Sequence, residues 1–222
     1  SLPEPGGRVY STNFQQTEDP ISEGGLWLNG LTDGLDWSNI QTTPGFAFGT
    51  QTGFNDVDDS TALLVGAWGW NQVAQAAVVI NGDGFRQEIE LRLNSSLSAK
   101  ACTGYEFLFD TTGTSSIVRW DGAFGAYEVI GPSVNLPGGA LVTGDVLRAT
   151  NVGGVLTAYV NGVQVAQVQD ATYLNGSPGM GFFIRTPTVD YANFGLSSFS
   201  ASSSPNDTAL QVRATDVAGN AT

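Results

Sequence analysis

Apolar and polar positions alternate along most of the chain, in short runs that Gly, Pro, Asn or Asp interrupts at roughly 8- to 12-residue intervals, a spacing typical of β-sandwiches. Few segments repeat apolar residues at the helical interval, so helices are not expected. The pattern predicts strands near 9–14, 25–30, 45–50, 61–67, 73–80, 86–94, 104–110, 115–120, 125–130, 145–151, 155–160, 163–169, 179–184 and 192–201. The clearest pair lies in "VLTAYVNGVQVAQVQD" (155–170), where Asn161-Gly162 supplies the two positive φ angles of a type I′ turn. "NGDG" (81–84) and "WDGAFG" (120–125) predict further turns.

Alternation also sorts side chains onto faces. In "RQEIELRL" (86–93), Arg86, Glu88, Glu90 and Arg92 share one face, and Gln87, Ile89, Leu91 and Leu93 share the other. The second face belongs to the core. In "GYEFLFD" (104–110), Phe107 and Phe109 go inward and leave Glu106 and Leu108 outside, with Arg119 expected to join them from the next strand. The expectation is a wetted outer face of alternating carboxylates and guanidiniums. Such a face suits hydroxyl-rich ligands through charge-assisted hydrogen bonds, although cross-strand Glu–Arg pairs also occur simply to stabilise sheets.

Composition narrows the function. A chain of 222 residues is within the range of one large sandwich, and 41% hydrophobic against 13% charged residues is a globular balance. The net charge of −13, from 21 Asp and Glu against 8 Lys and Arg, makes nucleic-acid binding improbable, because phosphates are neutralised by clustered cations. No run of about 18 apolar residues offers a membrane span, and no signal peptide is visible at the start. With one cysteine, Cys102, no internal disulfide forms, and Cys102 reads as a small buried strand or loop residue. The chain has no histidine, so Ser-His-Asp and Cys-His nucleophile systems and histidine-ligated zinc are excluded.

Two further groups of residues could hold a ligand. Trp68 and Trp70 of "WGW" would share a strand face if extended, and Trp120 and Tyr127 flank a later turn; flat rings of this kind stack on sugar C–H faces. Core filling is the other reading of each, and Trp27 and Trp37 rank below them. Carboxylates concentrate in "TEDPISEGG" (17–25) and "NDVDDS" (55–60), where hard oxygen ligands for calcium would be found. Solvated loop acids with no ion are the alternative there.

The segments "DPISEGGLW" (19–27), "QEIELRLN" (87–94), "GYEFLFD" (104–110), "IVRWDG" (117–122), "GDVLRATNVGGVLTAYVNGVQVAQVQD" (144–170) and "GSPGMGFF" (176–183) follow in an order that resembles the concanavalin A-like domains, also called laminin-G-like or lectin/glucanase-like, of bacterial extracellular proteins. The resemblance implies an all-β, two-sheet antiparallel jelly-roll β-sandwich whose concave sheet face binds or cleaves glycans in relatives. It covers roughly 9–201, so residues 1–201 are expected to form the jelly roll. Residues 202–222 resemble the start of an immunoglobulin-like module, as a strand or linker. It also implies one structural calcium ion as a candidate cofactor, with Asp19 and Asp190 as candidate carboxylate ligands.

The expected function is a non-catalytic carbohydrate-binding module of a larger secreted or cell-surface protein. Its partner is a polysaccharide or oligosaccharide, with Glu88, Glu90, Arg92, Glu106, Arg119, Trp68, Trp70, Trp120 and Tyr127 as ligand contacts. Two alternatives stay open. A glycoside hydrolase would use Glu88 and Glu90, yet the family's Glu-x-Asp-x-x-Glu is broken here by Arg92 and Leu93. A polysaccharide lyase would use Tyr105 or Tyr127 with Arg92 or Arg119, yet of the alginate-lyase Arg-x-Glu-Leu-Arg only Glu90-Leu91-Arg92 remains, and the lyase histidine is missing. The other alternative is a structural spacer or protein-interaction domain.

Overall fold

The computed structural model describes residues 7–32, 37–50, 59–82, 87–123, 125–184 and 191–205. Strands, numbered in chain order, are β1 (Arg8–Thr12), β2 (Trp27–Asn29), β3 (Ile40–Thr43), β4 (Phe46–Gly49), β5 (Ser60–Leu64), β6 (Asn71–Ile80), β7 (Gln87–Ser98), β8 (Ala101–Asp110) and β9 (Thr114–Gly122). They continue with β10 (Tyr127–Val129), β11 (Val134–Asn135), β12 (Val146–Val152), β13 (Val155–Val160), β14 (Val163–Gln169), β15 (Ser177–Ile184) and β16 (Phe194–Ser204). The helical content among the described residues is one short 3₁₀ turn, Tyr191–Asn193.

These strands form two antiparallel sheets packed as a jelly-roll sandwich. Sheet I has the order β14-β13-β12-β6-β16-β4-β3, with β1 also pairing β16; sheet II has the order β10-β9-β8-β7-β15-β5-β2, with β11 also pairing β9. The core is built asymmetrically. Sheet I turns small residues inward, including Ala74, Ala76, Ala149 and Ala158, whereas sheet II turns in Ile89, Leu91, Phe107, Phe109 and Phe182, all buried. Large side chains from one sheet fill space that alanines leave on the other, which is how inner faces interdigitate at native density. Full burial of a Phe or Leu stabilises by roughly 1.5–3 kcal/mol.

The expected alternation holds on the strands that matter. Ile89, Leu91 and Leu93 are buried in the main core beside Phe107 and Phe109, so the opposite set, Glu88, Glu90, Arg92, Glu106 and Leu108, lies on the outer face of sheet II. The β13–β14 hairpin turns at Asn161 and Gly162 with φ of 51° and 78°, as their types require. Strand β16 continues through Ser204, where Ser202 and Ser203 pair with Val73 and Gln72, so the sheet runs past position 201. Residues 206–222 lie outside the described residues, as do positions 83 and 84 of "NGDG".

Candidate functional site

The outer face of sheet II is covered, not wetted. Trp37 lies over it, held where Ser38 bridges Ser60 of β5, and forms a second apolar cluster with Leu63, Leu97, Cys102, Val118 and Trp120. Beneath this cover Glu90 and Arg92 are 0% exposed and Glu88 and Glu106 are 5% and 4% exposed, which corrects the expectation of a solvated ionic face. One nitrogen, Arg92 Nη2, lies 2.5 Å from Glu90 Oε2, 3.1 Å from Glu106 Oε2 and 3.5 Å from Asp59 Oδ2. The guanidinium carbon lies over the Trp37 ring at 5.0 Å and the Trp120 ring at 5.6 Å, within cation–π range.

Electrostatics follow from that burial. Desolvation raises the Glu90 pKa well above the usual carboxylate range; Arg92 opposes the shift, and Glu106, Asp59 and Glu88 add to it. Desolvation acts to lower the Arg92 pKa, but Glu90 and Glu106 outweigh it and hold the guanidinium charged. Cys102 is a buried thiol pushed up to about 12 by burial, which leaves it unreactive as expected of a packing residue.

Beside the covered part, a groove of about 440 Å³ opens on the same face. Its wall is aromatic: the Trp120 and Tyr127 rings lie 5.1 Å apart, Tyr127 50% exposed and Trp120 buried behind it at 4%. Glu88, Glu106 and Asp59 supply carboxylates, Thr114, Ser116 and Ser133 supply hydroxyls, and Leu108, Val118, Val129 and Phe183 complete the lining. Trp120 is fixed by its indole, whose Nε1 donates to Glu106 Oε2 at 2.6 Å. Of the ligand contacts expected from sequence, the groove collects Glu88, Glu106, Trp120 and Tyr127. Glu90 and Arg92 lie behind it.

Arg119 points the other way. In β9 it pairs with Tyr105 and Glu128, so alternation places it on the face opposite Trp120, at the end of the sandwich. There its Nη1 donates to Asp170 Oδ2 at 2.7 Å, Nε to Asp121 Oδ1 at 2.9 Å and Nη2 to Glu128 Oε2 at 2.9 Å. Tyr105 is buried and donates to Asp170 Oδ1 at 2.6 Å. Tyr105 and Arg119 therefore meet, as a lyase pair would, but on one carboxylate that ties β8 and β9 to the end of β14. Burial and the bond to Asp170 raise the Tyr105 pKa, the wrong direction for a general base. Burial acts to raise the Asp170 pKa, but hydrogen bonds from Tyr105, Thr172 and Arg119 outweigh it and bring it down to about 2.

The remaining expected contacts lie elsewhere. Trp68 is buried in the main core, with the Arg8 guanidinium 4.3 Å from its ring centroid, and Trp70 donates from Nε1 to Asn175 Oδ1 at 3.0 Å. Neither lies in a strand, so "WGW" does not present two rings to one face. The hydrolase pair fares no better, since Glu90 is sealed from the solvent that Glu88 borders.

In the 17–25 loop the glutamates are structural, and residues 55–58 of "NDVDDS" lie outside the described residues. Glu18 accepts from the backbone N–H groups of Ser22 and Glu23, while Glu23 accepts from the Tyr10 and Thr12 hydroxyls and from Trp27 Nε1. Asp19 is exposed, and Asp190 lies outside the described residues. The carboxylates of Asp59, Glu90 and Glu106 do converge, each offering an oxygen within 4.8 Å of the others. Asp59 belongs to "NDVDDS", so the acidic stretch was visible in the sequence and its destination was not. Arg92 Nη2 lies among these three carboxylates.

Comparison with protein-family models and comparison with curated proteins each find no match. Solved structures share the fold. The carbohydrate-binding module CBM66 from Bacillus subtilis aligns at TM-score 0.55 and 16% identity, covering 84% of this chain and 97% of that one. The carbohydrate recognition domain of Emp46p in its potassium-bound form aligns at 0.57 and 13% identity, covering 86% and 95%. An endo-β-galactosidase from Clostridium perfringens that releases GlcNAcα1-4Gal aligns at 0.54 and 10% identity, covering 91% of this chain and 64% of that one. At these identities the likeness is one of fold, and the fold is the concanavalin A-like jelly roll that the order of sequence segments predicted.

Proposed function

We propose that the chain is a non-catalytic carbohydrate-binding module of a larger extracellular protein, and that it holds a saccharide chain in the groove on the outer face of sheet II. The carrying observation is the Trp120–Tyr127 wall, 5.1 Å between rings, standing over a floor of carboxylates and hydroxyls. The exposed Tyr127 ring, backed by Trp120, takes the apolar face of a sugar, and Glu88, Glu106, Thr114, Ser116 and Ser133 accept or donate hydrogen bonds to hydroxyls. Neighbours named as a carbohydrate-binding module and a carbohydrate recognition domain support the reading. Among the described lining residues none is basic, which favours neutral chains over polyuronates. Affinity is modest, since few contacts per sugar offset the loss of freedom on binding.

The test is gel retardation in polysaccharide-containing native gels, across neutral glucans, mannans and xylans and across polyuronates. Retardation by a neutral polymer with no release of reducing ends or unsaturated uronates is the expected result. Product release would move the chain to the enzymes, with Glu88, Glu106 and Asp59 in the groove as the first carboxylates to replace. Retardation by none of them would leave the spacer reading.

A further inference from the structure

We infer that Arg92 is an internal cation standing where a metal ion would otherwise sit among Asp59, Glu90 and Glu106, and that it positions Trp120, the wall of the groove, through Glu106. Three carboxylate oxygens within 4.8 Å of one another are close enough to share one calcium ion, whose Ca–O bonds are about 2.3–2.6 Å. Arg92 Nη2 is 2.5, 3.1 and 3.5 Å from those three oxygens, so the volume an ion would need is filled by a side chain of the protein itself.

A second observation, independent of the carboxylates, shows the guanidinium to be committed to this place. Its Nε and Nη1 are buried and make no hydrogen bond, as is Glu90 Oε1. What covers the guanidinium is aromatic, Trp37 on one ring and Trp120 on another, themselves 5.3 Å apart and edge-to-face. Arg92 thus holds Trp120 twice, through its ring and through Glu106, which accepts from the indole N–H at 2.6 Å. The sheet is cut to fit the carboxylate: β15 places Gly181 opposite Glu90, where an added Cβ would strike Glu90 Oε2.

It follows that the site needs no added metal. Binding in the groove is independent of calcium, a consequence that rests on the glycan reading; the position of Arg92 does not.

Thermal unfolding and near-UV circular dichroism, in EDTA and in excess CaCl2, decide the matter without any saccharide. Wild type and Arg92→Lys, which keeps a cation, are expected to show no calcium-dependent rise in Tm that Glu106→Gln removes. Arg92→Met removes the cation from among the three acidic side chains, so its Tm in EDTA falls by about 10 °C and its tryptophan signal weakens, both recovering in CaCl2. A wild-type Tm that rises with CaCl2 and loses the rise in Glu106→Gln overturns the inference. So does an Arg92→Met Tm indifferent to CaCl2; should that variant not fold, the comparison of wild type with Glu106→Gln decides alone. Polysaccharide gels that show no retardation would remove the glycan reading and leave this result standing.

Discussion

Gly181 lies directly across from Glu90 in the β7–β15 pair, and a Cβ added at Gly181 would overlap Glu90 Oε2. The second glycine of "GMG" is therefore a matter of space for a buried carboxylate, since the glycine carries no special backbone angle. Gly181→Ala is expected to destabilise by about 1–3 kcal/mol, as overpacking of a filled interior does. Paired with Glu90→Ala, most of that penalty should disappear. Urea unfolding of the two single variants and the double variant measures the coupling; strictly additive effects would mean that the glycine serves something else.

The Asp170 clasp sets an acid limit on stability. Its pKa is about 2 in the fold against 3.8 as a free side chain, so between these values the unfolded chain binds more protons than the folded one. The contribution is thus complete above pH 3.8 and lost as pH falls toward 2; the shift corresponds to about 2 kcal/mol. Asp170→Asn should flatten the fall in unfolding free energy across that window, while wild type shows it.

Glu90 acts with the opposite sign. Its folded pKa lies well above the usual 4.5 of a free glutamate, so the folded chain keeps a proton that the unfolded chain has released. Stability from this source is full below 4.5 and declines as pH rises through the folded pKa. Glu90→Gln, which cannot ionise, is expected to lose that decline. Denaturation curves from pH 5 to 9 check it, and identical slopes for the two proteins would contradict the burial argument.

How far these features could be read from the sequence differs by feature. Period-two alternation told which of Glu88, Ile89, Glu90 and Leu91 face the core, because a strand has only two sides. It could not tell what covers the outer side. Trp37 and Asp59 reach Arg92 from segments distant in the chain, and nothing in "QEIELRLN" announces them. Alternation also bears on Arg119, since Trp120 and Arg119 are adjacent and cannot share a face; assigning both outward overlooked that rule. The β7–β8 connection was missed for a different reason. It turns at Ala99 and Lys100, with Lys100 at φ 62°, so no Asn-Gly or Gly marks it, and both strands run longer than the sequence suggested. "WGW" misled through its apparent alternation, because Gly69 brings the chain against the Ser204 carbonyl in a stretch that is not a strand.

Tyr127 offers the most direct test of the groove, since it is half exposed and lies outside the buried clusters. Isothermal titration of wild type and Tyr127→Ala with the neutral polysaccharide that retards the protein most is the measurement. Tyr127→Ala is expected to bind about tenfold more weakly, equivalent to ~1.4 kcal/mol, while unfolding cooperatively as the wild type does. Equal affinities for the two proteins would place the saccharide on another surface and contradict its binding in the groove.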